Sequence, residues 1–143
     1  MNSDLEYLDL IDLISERHLQ LRKRSEEMWN NHSDIYLSNS EWFILTRIYQ
    51  KEQTTISYVT KHVDISRQAT HKFIKQLQQK GLVEIEKHPT NKKEKSITLT
   101  PLGKECYEKN ESLKAQLAIQ IADKIGVEQV TSFKRILKEN WGI

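Results

Sequence analysis

The period of this chain changes at Gly81. Before it, residues 56–81 read ISYVTKHVDISRQATHKFIKQLQQKG, two helical stretches around a corner; after it, LVEIEK alternates apolar with charged. The first stretch, residues 56–62, carries Ile56, Val59 and Val63 at helical spacing. Asp64-Ile65-Ser66 makes the corner, with Ser66 placed as N-cap so that its hydroxyl accepts from a free backbone N–H. The second stretch, residues 67–80, stops at Gly81, the usual residue past a helix end.

That second helix has two chemically different faces. At 100° per residue, Ala69, Phe73, Ile74 and Leu77 fall on one side and suit a core. Gln68, His71, Lys72, Lys75 and Gln79 fall on the other, with no acidic residue among them. Lysine neutralises phosphate, glutamine pairs with adenine in the major groove, and lysine or arginine with guanine. Two short helices with the second basic outward form the helix-turn-helix pattern; an ordinary solvated helix face is the bland alternative. After Gly81, residues 82–87 and 95–100 alternate as two strands joined by HPTNKKE. A hairpin there is a wing, whose basic tip reaches the backbone or minor groove beside the recognition helix.

Charge supports the same surface. The 143-residue chain carries only +2 overall, so a nucleic-acid footprint must be local. Residues 61–95 hold nine basic and four acidic side chains, a local +5, which leaves −3 for the remainder. A lone cysteine allows no intramolecular disulfide and suits a reducing compartment. The opening MNSDLEYLDLIDL is acidic where a signal peptide is basic, and no apolar run nears the ~20 residues that span a bilayer. A cytoplasmic protein is expected, with no membrane contact. With four glycines and no phosphate loop, nucleophile elbow or His-Glu metal motif, neither an enzyme nor a cofactor is expected. The five histidines are scattered, with no zinc spacing and no expected metal.

The flanks read as amphipathic helices. One is expected from Leu5 to about Asn31, with Ser3 as cap, Glu6 completing a capping box, and Leu5, Leu8, Ile11, Leu13, Ile14 and Leu21 as its apolar stripe. A second opens at Ser40 as cap and runs through Tyr49, burying Trp42, Leu45, Ile48 and Tyr49. Thr100 caps a long helix with Pro101 at its first position, running through Lys124 and ending at Gly126. Its apolar side is Tyr107, Leu113, Leu117, Ala118, Ile121 and Ile125. A last helix, residues 128–141, puts Val130, Phe133, Ile136, Leu137 and Trp141 on one face. Terminal helices that bury such stripes against each other fit a two-fold dimer, whose recognition helices would meet half-sites about one turn, ~34 Å, apart.

This order of elements resembles the MarR family of bacterial transcription regulators. ISRQATHKFIKQLQQKGLVE and ITLTPLGKE match in character and spacing that family's recognition helix and the exit from its wing. The resemblance implies a mainly α fold with a small β-hairpin wing, a single domain over residues 1–143. Residues 40–100 would form the winged helix-turn-helix, and residues 4–31 and 101–143 the dimerisation helices. It implies a homodimeric repressor on a pseudo-palindromic double-stranded operator, released by a small effector. Gln68, His71, Lys72 and Lys75 would face the major groove, with Ser66, Arg67 and Thr70 near its edge toward phosphates. The family wing usually carries Asp-x-Arg, which falls here on Asn91-Lys92-Lys93, with Lys95 following. Lysine keeps the charge but loses the planar guanidinium that favours narrow minor grooves, so phosphate attraction should outweigh shape readout. Many relatives bind small aromatic or phenolic compounds between the dimer helices and the winged unit, where His18, Arg22 and Trp42 would border the cleft. Peroxide sensors of the family use a cysteine near the start of the first helix; none stands there, and Cys106 reads as a small core residue. The competing class is a winged-helix module that binds protein or acts as an antirepressor. Such a module should expose apolar anchors where this chain has His71, Lys72 and Lys75.

Overall fold

A computed structural model describes residues 3–87, 90 and 94–143. A 3-10 turn at Ser3–Leu5 precedes α1 (Leu10–His32), followed by α2 (Asn39–Gln50), β1 (Thr54–Thr55), α3 (Ile56–His62), α4 (Arg67–Gln79), β2 (Val83–Lys87), β3 (Lys95–Leu99), α5 (Pro101–Ile125) and α6 (Val127–Lys138). The fold is therefore the mainly helical winged helix-turn-helix expected. The core lies where α1, α2, α4 and α5 meet the sheet, around Trp29, Leu45, Ile48, Ile74, Leu77 and Ile97, each 2% exposed or less.

Several boundaries differ from expectation, each through capping chemistry. The first long helix starts at Leu10, because Asp9 accepts from the Asp12 N–H at 2.8 Å. Ser38, not Ser40, caps α2. Its hydroxyl accepts from the Glu41 N–H while Glu41 Oε1 accepts from the Ser38 N–H, a complete capping box. Glu41 is 1% exposed, and its other oxygen meets Lys80 Nζ at 2.6 Å. Lys80 also donates to the Tyr36 carbonyl, so this lysine pins the end of α4 to the start of α2. Tyr49, expected in the core, is 41% exposed and stacks on Tyr107 at 4.0 Å between ring centroids. The last helix stops at Lys138; beyond it Trp141 Nε1 donates to the Ile136 carbonyl.

The sheet has three antiparallel strands in the order β1-β3-β2. Residues 54–55 lack a legible strand signature, yet Thr54 pairs with Ile97 and Thr55 with Ser96. On the other side of β3 the register runs from Val83↔Leu99 to Lys87↔Lys95. The wing is thus stitched at its base to the segment that leads into α3.

Gly81 and Gly103 join the winged unit to α5. Gly81 has φ +77°, and the Leu82 N–H reaches back to the Leu77 carbonyl, closing α4 with a Schellman-type bond. Thr100 donates from its hydroxyl to the Gly81 carbonyl at 2.6 Å and from its N–H to the Leu82 carbonyl at 3.1 Å. Gly103 packs so closely that a Cβ there would stand 2.1 Å from the Leu82 oxygen. α6, by contrast, buries none of its side chains. Phe133 is 53% exposed, Ile136 and Leu137 are similarly bare, and on α1 Ile11 is 73% exposed.

Candidate nucleic-acid interface

α4 begins at the expected residue. Ser66 Oγ accepts from the Ala69 N–H at 3.1 Å, and the chain turns the corner from α3 with Val63 and Ile65 half-buried. Ile74 and Leu77 hold the inner face in the core, with Ala69 and Phe73 half-buried beside them. Ser66, Arg67, Gln68, His71, Lys72, Lys75 and Gln79 are all exposed, and no acidic residue interrupts α4. One expected contact is overturned. Thr70 is fully buried, and its hydroxyl donates to the Ser66 carbonyl at 2.9 Å, so it braces the helix start and has no path to a phosphate.

The first turns of α4 open onto a cleft of ≈ 440 Å³ shared by three elements. Ile56, Ser57, Thr60 and Lys61 come from α3, Arg67 and His71 from α4, and Glu94 and Lys95 from the wing. Ser57, Thr60 and Glu94 carry no sequence signal of their own; the fold brings them from α3 and the wing to the cleft beside α4. At the outer end of the hairpin Lys87 lies directly across from Lys95. Like charges in that relation destabilise a sheet pair, and a polyanion laid over them removes the cost. Asn91, Lys92 and Lys93 lie outside the described residues. Lys80, counted in the basic segment, is committed to Glu41 and offers nothing to this surface.

The residues expected around an effector cleft separate. His18 and Arg22 border a groove of ≈ 320 Å³ between α1 and α5, together with Leu21, Ser25, Lys114 and Leu117. Lys114 escaped the sequence reading; it stands one turn before Ala118 on the face of α5 that meets α1. The Arg22 guanidinium lies 4.7 Å from the Phe43 ring centroid, and burial lowers its pKa from the usual arginine value. Trp42 does not line this groove. It is buried, edge-on to Trp29 at 5.0 Å between centroids, and is a core residue. Cys106 is buried as expected, and desolvation raises its thiol pKa. Among the described residues no cluster of His, Cys, Asp or Glu is arranged to hold a metal ion, and no helix is long and apolar enough to cross a membrane.

Residues 37–95, from the cap of α2 to the return strand of the wing, match the profile of the MarR family. Over these residues the chain is similar to the MarR family. Curated relatives agree. The uncharacterized HTH-type transcriptional regulator SAV2265 of Staphylococcus aureus is 30% identical over 60% of this chain, and the match spans 57% of that protein's length. The uncharacterized HTH-type transcriptional regulator YwhA of Bacillus subtilis is 25% identical over 96% of each chain. Among solved structures the chain resembles wild-type apo MarR from E. coli, with a TM-score of 0.81 at 22% identity over 93% of this chain and 97% of that one. A mutant MarR from E. coli complexed with operator DNA is similar at a TM-score of 0.67 and 20% identity, over 92% and 97% of the two chains. In MarR terms, the family match covers the helix-turn-helix and wing, and the structural likeness extends through the flanking helices.

Proposed function

We propose that this chain is a homodimeric, sequence-specific DNA-binding repressor of the MarR type. Gln68, His71, Lys72 and Lys75 would read and grip the major groove, with Ser66 and Arg67 on adjacent phosphates and the wing, through Lys95 and the Asn91-Lys92-Lys93 tip, beside it. The observation that carries this reading is the continuous exposed face of α4, basic and amide-rich, without a carboxylate, flanked by Lys95. The solved operator complex of an E. coli MarR mutant with the same fold supports DNA as the partner. The bare apolar sides of α1 and α6 support a second copy of the chain, which would set two recognition helices on a pseudo-palindrome. For release, a small aromatic or phenolic effector fits the α1–α5 groove. Arg22 and Lys114 supply positive charge there, and Leu21 and Leu117 supply apolar walls.

Fluorescence anisotropy on the DNA upstream of the gene, against scrambled DNA over several salt concentrations, tests the central claim. Affinity at least ~10³ higher for the upstream fragment is expected of a specific regulator. Absence of binding to any DNA at low salt would sink it and favour a protein-interaction module.

A further inference from the structure

We infer that Lys80 is a positioning residue for DNA recognition: its ion pair with buried Glu41 fixes the axis of α4, so that the exposed face of that helix discriminates between sequences as well as attracting phosphate. The inference rests on the DNA-binding reading of the α4 face and concerns a residue that does not itself belong to that face.

Lys80 closes α4 as its C-cap, with its N–H donating to the Gln76 carbonyl at 3.0 Å. Its Nζ stands 2.6 Å from Glu41 Oε2, donates to the Tyr36 carbonyl at 2.7 Å and lies 5.5 Å from the Tyr36 ring centroid. The Glu41 side chain is 2% exposed, and its other oxygen accepts from the Ser38 N–H at 3.1 Å and the Ser38 hydroxyl at 3.2 Å. A carboxylate locked into a capping box cannot follow the lysine, so the lysine must come to it. The same block reaches α1, where Glu26 accepts from the Asn39 N–H at 3.1 Å and from the Tyr36 hydroxyl at 3.3 Å. The pairs Arg24–Glu27, Lys114–Glu111 and Arg135–Glu139 each span three or four residues at the surface, where an ion pair contributes little. Lys80 and Glu41 instead join two elements across 39 residues. A buried pair is a poor source of stability and is better suited to selecting one arrangement.

The arrangement matters because the two kinds of DNA contact tolerate different errors. Ile74 and Leu77 press α4 into the core, but apolar burial is non-directional, whereas the lysine is a directional tie. With 13 residues, α4 is about 20 Å long at ~1.5 Å per residue, and Gln68, His71 and Lys72 stand toward the end far from Lys80. A tilt of about 10° at the tied end carries that far end by about 3 Å. A hydrogen bond to a base edge survives only within ~2.7–3.2 Å. Attraction to phosphate reaches ~10 Å at 0.1 M salt. Loosening α4 therefore costs base reading before it costs phosphate binding.

The test uses the full-length chain and a duplex recovered from a randomised pool by repeated selection. Anisotropy gives the affinity for that duplex and for scrambled DNA, and hence their ratio, in the wild type, in Lys80→Arg, in Glu41→Gln and in Glu41→Gln with Lys80→Met. The double variant removes both charges together, so net charge is unchanged and no lone carboxylate stays buried, while glutamine at 41 keeps the capping box. Both duplexes need a folded chain, so loss of folded protein lowers both affinities alike and leaves the ratio where it was. In the double variant the ratio is expected to fall at least about tenfold, the discrimination of about one bidentate base contact. Its affinity for scrambled DNA and its salt slope should not change. Glu41→Gln should fall between the double variant and the wild type, and Lys80→Arg, which keeps the charge, should hold the wild-type ratio. Leu113→Ala, a core truncation on α5, is the destabilised control and should also hold it. An unchanged ratio in both the double variant and Glu41→Gln, or an equal fall in Leu113→Ala, overturns the inference and leaves DNA binding standing. Failure to recover any bound duplex overturns the DNA-binding reading and the inference together.

Discussion

Gly103 is where one hydrogen atom in place of a methyl group decides how two parts of the molecule meet. A Cβ would stand 2.1 Å from the Leu82 carbonyl oxygen, and that oxygen already accepts from the Thr100 N–H. The obstruction is backbone, not the end of a flexible side chain. Gly103→Ala is expected to destabilise the fold by about 1–3 kcal/mol, read as a lower urea midpoint with little change in slope. Cys106 gives a second residue-scale test. Burial raises its pKa, so little thiolate exists near neutral pH and little surface is open to reagent. Native protein should resist alkylation by iodoacetamide, and the same thiol should label rapidly in urea. Rapid labelling of the folded chain would contradict its place in the core.

At the scale of elements, the helix pair was legible because its signals are local. The Ser66 cap, the glycine after α4, and the split between Ile74/Leu77 and Lys72/Lys75 all lie within one short stretch. What escaped was longer-range or ambiguous. Two threonines are too few to show alternation, and β1 exists only through pairing with Ile97 and Ser96, about forty residues away. Ser38 and Ser40 both precede Glu41, and only the three-residue spacing from Ser38 completes the capping box. Thr70 lies near the border between the two faces of α4, where periodicity alone could not say whether the inside or the outside takes it. Two outcomes follow for the elements. The double substitution Lys72→Ala with Lys75→Ala should lower operator affinity by at least ~10²-fold with an unchanged circular dichroism spectrum, since both side chains are exposed. Lys95→Ala should weaken all duplexes alike and reduce the log–log salt slope by about one; a loss confined to one sequence would count against a phosphate contact.

For the whole molecule, the exposed apolar sides of α1 and α6 set the expected association. Large exposed apolar patches on small proteins mark interaction sites. Phe133 and Leu137 are 53% and 47% exposed in the single chain and lie outside its core, so Phe133→Glu with Leu137→Glu should leave the monomer folded. Sedimentation is expected to show a dimer for the parent chain and a monomer for the double mutant. Affinity for a two-half-site duplex should fall by at least ~10²-fold, while binding to a single half-site changes little. A double mutant that still sediments as the parent does would remove these helices from the interface.

The Thr100 junction has a mechanical consequence. Its hydroxyl and its N–H hold two successive carbonyls at the exit of α4, while α5 leaves from the same point as one uninterrupted rod about 37 Å long at ~1.5 Å per residue. α4 and that rod are thus tied at one point, through Thr100 on the Gly81 and Leu82 carbonyls. If the Arg22 groove on the far half of α5 takes a ligand, a sideways displacement there would turn about this pivot and reach α4 as a change of tilt.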